Sequence, residues 1–159
     1  VSIFGQLDAA NIHTNAFYIE AGEYSATVTK AYYKKNVRDG EEQRQLVIEY
    51  TIDDADSQYL DSKAYHYFNL VDPEMTAERF ALLPAEDQVK IRRSNSALKR
   101  TLCGDDNNSE KRGLGVPVDD VNDENWNPEV LVGTKVDMAI SNYGANNEGV
   151  NIKWVNLAK

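Results

Sequence analysis

Cysteine is almost absent. Cys103 stands alone in 159 residues, so no internal disulfide can form and nothing favours a secreted, stapled scaffold; a reducing cytoplasm is the expected setting. Histidine is nearly as scarce, and His13 and His66 with one cysteine cannot supply an ordinary structural zinc site. No apolar run approaches the length that spans a bilayer, and residues 1–11 (VSIFGQLDAAN) lack the basic and apolar regions of a signal peptide, so a soluble protein without a membrane partner is expected. Catalytic constellations are missing as well. Asp53, Asp54 and Asp56 resemble the start of a calcium loop but lack the glycine and distal glutamate at the right offsets. Asp119-Asp120 has no apolar surroundings to split two carboxyl pKa values, and Gly113 and Gly115 alone make no phosphate cradle. No Ser/His/Asp or Cys/His arrangement emerges from the spacing. The expectation is a protein that is not an enzyme and holds neither metal nor cofactor.

Positive charge is the remaining scarcity. Seventeen Lys and Arg face 26 Asp and Glu, a net charge of -9 that, taken whole, argues against nucleic acid. The distribution is uneven, however. Residues 30–38 hold four cations and no acid (Lys30, Lys34, Lys35, Arg38), and residues 88–100 hold five and no acid (Lys90, Arg92, Arg93, Lys99, Arg100). Against them, residues 105–129 carry eight acids with only Lys111 and Arg112. Such runs are usually solvated faces, yet an acidic segment beside basic ones also fits an electrostatic mimic competing for one groove.

What is present is a succession of strands organised around residues 22–35 (GEYSATVTKAYYKK). Tyr24, Ala26 and Val28 alternate with Ser25, Thr27 and Thr29, the period-2 pattern of a half-buried strand. After Lys30 the pattern slips, with Ala31 and Tyr33 continuing the inward set, which predicts a bulge near Lys30 and a bent strand. The bent end places Tyr32 and Tyr33 beside Lys34 and Lys35: a surface for a polyanion with flat bases, or an edge strand protected by lysines. Residues 36–42 form a hairpin loop around Asp39-Gly40. A second strand follows with Leu46, Ile48, Tyr50 and Ile52 inward and Gln45, Val47, Glu49 and Thr51 on a wet face. A polar turn over 53–58 leads to a third strand over 63–71, with Ala64, His66, Phe68 and Leu70 inward and Lys63, Tyr65, Tyr67 and Asn69 outward. The opposite register, tyrosines inward, is the alternative.

Asp72-Pro73 ends that strand. Residues 76–83 read as a helical turn or two broken at Pro84, and residues 85–103 as a helix with apolar Val89, Ile91, Ala97, Leu98, Leu102 and Cys103, stopped by Gly104. Residues 105–128 read as a long acidic loop, mobile or functional, anchored by Trp126. Residues 130–141 (Thr134, Val136, Met138 and Ile140 on one side) and 150–157 (Ile152, Trp154) make the last two strands, with both tryptophans assigned to the core. Residues 1–15 are a lead-in docked by Phe4, Leu7 and Ile12.

Three strands, a helix and two more strands in one domain over 1–159 is a mainly β architecture. Its order is that of the five-stranded OB-fold, a Greek-key barrel with the helix between strands 3 and 4. The succession GEYSATVTKAYYKK, QLVIEYTI, KAYHYFNLV, a basic helix ending at Gly104, LVGTKVDMAIS and GVNIKWVNL, about residues 17–157, resembles the phage-encoded single-stranded DNA-binding proteins of OB type. The resemblance is one of pattern. It implies sequence-tolerant binding of single-stranded DNA in the host bacterial cytoplasm, with replication or recombination proteins as further partners and homodimerisation left open. On the matching positions, the binding residues would be Tyr32, Lys34, Lys35, Arg38, Arg44, Lys63, Tyr65 and Tyr67, with Tyr33 beside them. Many such proteins end in an acidic, aromatic-tipped tail, whereas the sequence here stops at Asn156-Leu157-Ala158-Lys159; either the acidic loop takes that role or a tail lies outside this sequence. Two other readings stand beside this one: a non-enzymatic β-barrel interaction or virion-assembly module acting through the acidic loop, and a saccharide-binding barrel using the same rings.

Overall fold

Alternating apolar residues, many of them β-branched or aromatic, build five strands: β1 (Gly22–Arg38), β2 (Glu41–Ile52), β3 (Lys63–Asn69), β4 (Lys135–Tyr143) and β5 (Gly149–Leu157). They form one antiparallel sheet in the order β3-β2-β1-β4-β5. The structure is a computed structural model and describes residues 18–71, 75–105, 107–108, 110–123 and 125–159, with Arg38 described by its backbone alone. The lead-in over 1–15 and the Asp72-Pro73 stop lie outside the described residues.

β1 serves both halves of the sheet. Its residues 22–27 pair with β4 and its residues 26–38 pair with β2. The register shifts between Val28 and Lys30, the bulge that the slipped pattern predicts. One extra residue at Thr29 returns Ala31 to the core side, where it pairs with Ile48, and puts Tyr33 on that side opposite Leu46. The hairpin is tighter than the expected 36–42 loop. Asp39 (φ 54) and Gly40 (φ 79) alone make the turn, because consecutive positive φ values match the twist of paired strands and let the ladder run to its end.

β2 buries Leu46, Ile48, Tyr50 and Ile52 as expected. Its other face is not wet, however, because Val47 and Glu49 are buried there too. β3 keeps the expected register, with Ala64 buried and Phe68 packed against the core while Tyr65 and Tyr67 point outward. It ends at Asn69, two residues earlier than expected. β3 and β5, the two edges, come into contact without pairing. His66 bridges them: Nδ1 lies 2.9 Å from the Tyr50 hydroxyl, and the ring bonds the backbone of Ile152. The sheet is therefore strongly bent and open along that seam.

A short helix, α1 (Ala77–Ala81), capped by the Thr76 side chain, precedes α2 (Ala85–Cys103), whose bounds are those expected. α2 docks by its C-terminal end, burying Leu102 and packing Leu98 and Cys103, while Val89 and Ala97 are exposed instead of joining the core. Its Arg92 lies over the Phe80 ring at 5.4 Å, tying α1 to α2. No helix among the described residues is long and apolar enough to cross a membrane.

Gly104 (φ 85, ψ -168) ends α2 in a conformation essentially closed to other residues. A Cβ there would meet the Lys111 carbonyl oxygen and come within 2.6 Å of the Arg112 carbonyl carbon. Gly104→Ala is expected to cost about 1–3 kcal/mol in backbone strain, read as a lower urea midpoint at unchanged m.

The acidic stretch is not a free loop. Leu114 and Val116 are buried, their N–H groups donating to the carbonyls of Thr101 (2.8 Å) and Leu102 (2.9 Å), and the N–H of Leu157 donates to Gly113 (2.7 Å). A one-turn helix, α3 (Val118–Val121), follows, and Trp126 packs on the core as an anchor. Asp105 and Asp123 turn carboxylate oxygens onto the N–H groups of Asn107 and Asn125, local turns that solvate acids while shaping backbone. The fourth strand begins at Lys135 instead of residue 130, because Asn127 caps a 3₁₀ turn over Pro128–Leu131 that buries Leu131. Trp154 also departs from expectation. A register shift between Ala139 and Ile140 keeps both Ile152 and Val155 inward, so Trp154 turns to the other face and is 37% exposed.

Candidate nucleic-acid interface

The outward face of β1, β2 and β3 is ordered in rows set by register. Lys34, Gln45 and Asn69 form one row; Tyr32, Val47 and Tyr67 the next; Lys30, Glu49 and Tyr65 a third; Thr27, Thr51 and Lys63 a fourth. Val47 is wholly buried although it sits on this outer face, with a tyrosine on either side, so the rings of Tyr32 and Tyr67 flank an apolar floor. Tyr65 and Tyr67 stack on each other, ring centroids 5.9 Å apart and planes 22° from parallel. Tyr67 is 58% exposed and Tyr32 42%. Three phenol rings thus share one accessible surface.

Polar side chains frame them. Asn36 donates to Gln45 and Gln45 to Asn69, both at 2.8 Å, so a chain of amides crosses three strands along one border. Along the other border Glu49 gathers three donors. Lys63 Nζ (3.0 Å) and Thr29 Oγ1 (2.8 Å) donate to Oε1, and Tyr65 Oη (3.0 Å) donates to Oε2. Burial opposes ionisation of Glu49, but these hydrogen bonds and the Lys63 charge outweigh it and hold the carboxyl below its ordinary range. Tyr65 is pushed the other way, up to about 12, by burial and by its bond to that carboxylate.

The nine residues singled out in the sequence do not form one surface. Tyr32, Lys34, Lys63, Tyr65 and Tyr67 come together on the outward face. Tyr33, Lys35 and Arg44 register with the core-facing set and meet on the opposite side of the β1–β2 hairpin. There the Tyr33 hydroxyl donates to the Trp126 carbonyl (3.3 Å), and Arg44 lies over the Tyr33 ring at 5.6 Å. Consecutive residues on a strand point to opposite faces, so Tyr32 and Tyr33 could not both join the platform. Arg38 opposes Glu41 at the hairpin end. Lys63 is ion-paired with Glu49, and Lys35 pairs with Glu42 at 3.2 Å, whereas Lys30 and Lys34 make no ion pair among the described residues.

Sequence reasoning missed Val47, Glu49 and the amide chain. A signal for the first was available: an isolated valine between polar neighbours on a supposedly wet face implies something covering it. No signal pointed to Glu49, because its three donors come from two other strands, Thr29 from β1 and Lys63 and Tyr65 from β3. Among the described residues no three His, Cys, Asp or Glu gather into a possible metal site. Comparison with protein-family models, with curated proteins and with solved structures finds no match to this chain.

Proposed function

We propose that this protein binds single-stranded DNA without reading its sequence, as an OB-type barrel whose outward β1–β2–β3 face carries the strand, in phage replication or recombination. The observation that carries the reading is the set of rings Tyr32, Tyr65 and Tyr67 on one face, Tyr32 and Tyr67 exposed and Tyr65 half-buried, beside Lys30 and Lys34, which make no ion pair among the described residues. Any base offers a π-face, so phenol rings hold bases irrespective of identity, while the lysines follow phosphates and release counterions. The OB assignment is supported by the strand order, by β1 shared between β2 and β4, and by the meeting of β3 and β5 at His66. The net charge of -9 does not bar such binding, since much of the acid lies in the segment before β4 and the local charge of the platform is what a strand meets.

The test is a fluorescence titration with a dT oligomer of about 30 nucleotides, long enough to cover one OB module, at low and moderate salt with duplex DNA as control. The expected result is quenching by the single strand, weak response to duplex, and affinity that falls as salt rises. No binding at either salt would retire the proposal in favour of a protein partner. Binding of neutral oligosaccharide without salt dependence would favour the saccharide reading.

A further inference from the structure

Glu49 is the sole buried charged residue among the described residues, 4% exposed, yet it belongs to the outward face. Its position looks costly: a carboxylate taken out of water beneath a surface meant for a polyanion. The cost is offset by three donors, and one of these is the hydroxyl of a platform ring. We propose that Glu49 is a positioning residue of the platform, which tethers Tyr65 in its stacked pose against Tyr67 and at the same time withholds Lys63 from the phosphates. The inference rests on the DNA-binding reading above and deepens it.

Tyr65 Oη donates to Oε2, while Lys63 and Thr29 share Oε1, so the carboxylate cannot rotate without breaking one of three bonds. Thr29 is the residue inserted by the bulge, and its hydroxyl also lies 3.0 Å from that of Thr51. The bulge that bends β1 therefore supplies the ligand that orients Glu49, and Glu49 in turn orients the ring. A tethered phenol has lost its rotamer freedom before a base arrives, so stacking on it no longer carries that entropic cost. Tyr67, whose hydroxyl has no such anchor among the described residues, leans on its neighbour. Lys63, meanwhile, is committed to an internal anion and adds little to the counterion release that governs salt dependence.

The experiment compares Tyr65→Phe and Glu49→Gln with the unaltered protein by dT titration across a salt series. Tyr65→Phe keeps the ring, changes no charge and removes only the tether; a weakening of about threefold to tenfold is expected. Glu49→Gln frees Lys63, so it should bind more weakly at high salt while its log K against log salt plot steepens by about 0.7, one added cation on a single strand. A loss of packing alone would lower affinity at every salt without changing the slope. Tyr65→Phe binding as tightly as the unaltered protein, or Glu49→Gln with an unchanged slope, would overturn the proposal. Circular dichroism and urea midpoints of both variants identify any that fails to fold, and Tyr65→Phe, which removes one part-exposed hydroxyl, carries the decision if Glu49→Gln does. If the unaltered protein fails to bind at all, the DNA reading itself falls and takes this inference with it.

Discussion

A Tyr65→Ala/Tyr67→Ala variant is expected to lose at least about thirtyfold in affinity for a dT oligomer, since each base stacked on an aromatic ring is worth about 1–3 kcal/mol and two rings are removed. The fold should survive the change. Tyr67 is largely exposed and Tyr65 half-buried, and neither belongs to the core that Leu46, Ile48 and Tyr50 build on the other side of the sheet. The structural penalties are the uncovering of Val47, on the order of 1 kcal/mol if half of a valine side chain is returned to water, and the loss of the Tyr65 donor to buried Glu49, about 1–3 kcal/mol. Tyr32→Ala should weaken binding by about fivefold or more through loss of one ring. Tyr33→Ala is the informative control. The two tyrosines are adjacent in sequence and both 42% exposed, but Tyr33 faces the other way, bonded to Trp126. Its replacement should change affinity less than twofold. If Tyr33→Ala instead abolishes binding while Tyr65→Ala/Tyr67→Ala does not, the strand runs along the opposite side of the hairpin, over Arg44 and Lys35.

The second large effect is on stability. The protein is expected to lose about 3 kcal/mol between pH 7 and pH 4 through His66 alone, at 1.36 kcal/mol per pKa unit. Burial lowers the pKa of this imidazole to about 4 in the folded protein, against about 6.5 in an unfolded chain. Above pH 6.5 both states hold neutral histidine and the contribution is complete. As pH falls below 6.5 the unfolded chain takes up a proton that the folded one refuses, so stability declines until the folded pKa is passed, after which the loss levels off. The structural cause is the seam between β3 and β5. A charged imidazole there would be cut off from water, and the hydrogen bond to the Ile152 backbone, which favours the protonated ring, offsets only part of that cost. Urea unfolding across pH 7 to 4 measures the effect, and His66→Gln, whose amide offers one acceptor and one donor, should flatten it. The paired carboxylates Glu49 and Asp53 act in a lower window. Burial opposes ionisation of each, but hydrogen bonds and a lysine hold both below their ordinary range, so their contribution is complete above the unfolded carboxyl pKa and declines only as pH drops below it. A pH dependence confined below 4.5 would therefore assign the acid sensitivity to carboxylates and remove it from His66.

The secondary structure of this protein is written locally. Alternation placed the strands, Asp39-Gly40 the hairpin turn, and Gly104 the end of α2, because each depends on residues a few positions apart. Even the bulge was legible, since one inserted residue shifts every apolar side chain after it by one position. Where the alternation failed, something outside the alternating run had intervened. Residues 130–134 alternate like a strand, but Pro128 and the Asn127 cap commit the start of that run to a 3₁₀ turn. Trp154 looked like core until the shift at Ala139/Ile140 exchanged its face with that of its neighbours.

The composition and order of the chain determined a mainly β protein with a shared first strand and a helix before the last hairpin, and they placed two tyrosines of β3 outward. Tertiary structure alone decided which aromatic and basic residues act together. It set Tyr32 beside Tyr67 and Tyr33 against Trp126, a distinction of face that becomes a distinction of function only once β2 and β3 lie alongside. It drew Lys63, Thr29 and Tyr65 from two different strands onto Glu49. The physical reason is that a hydrogen-bonded charge is defined by its partners in space. Those partners lie 14 to 20 residues away from Glu49, beyond the reach of any periodicity in the chain.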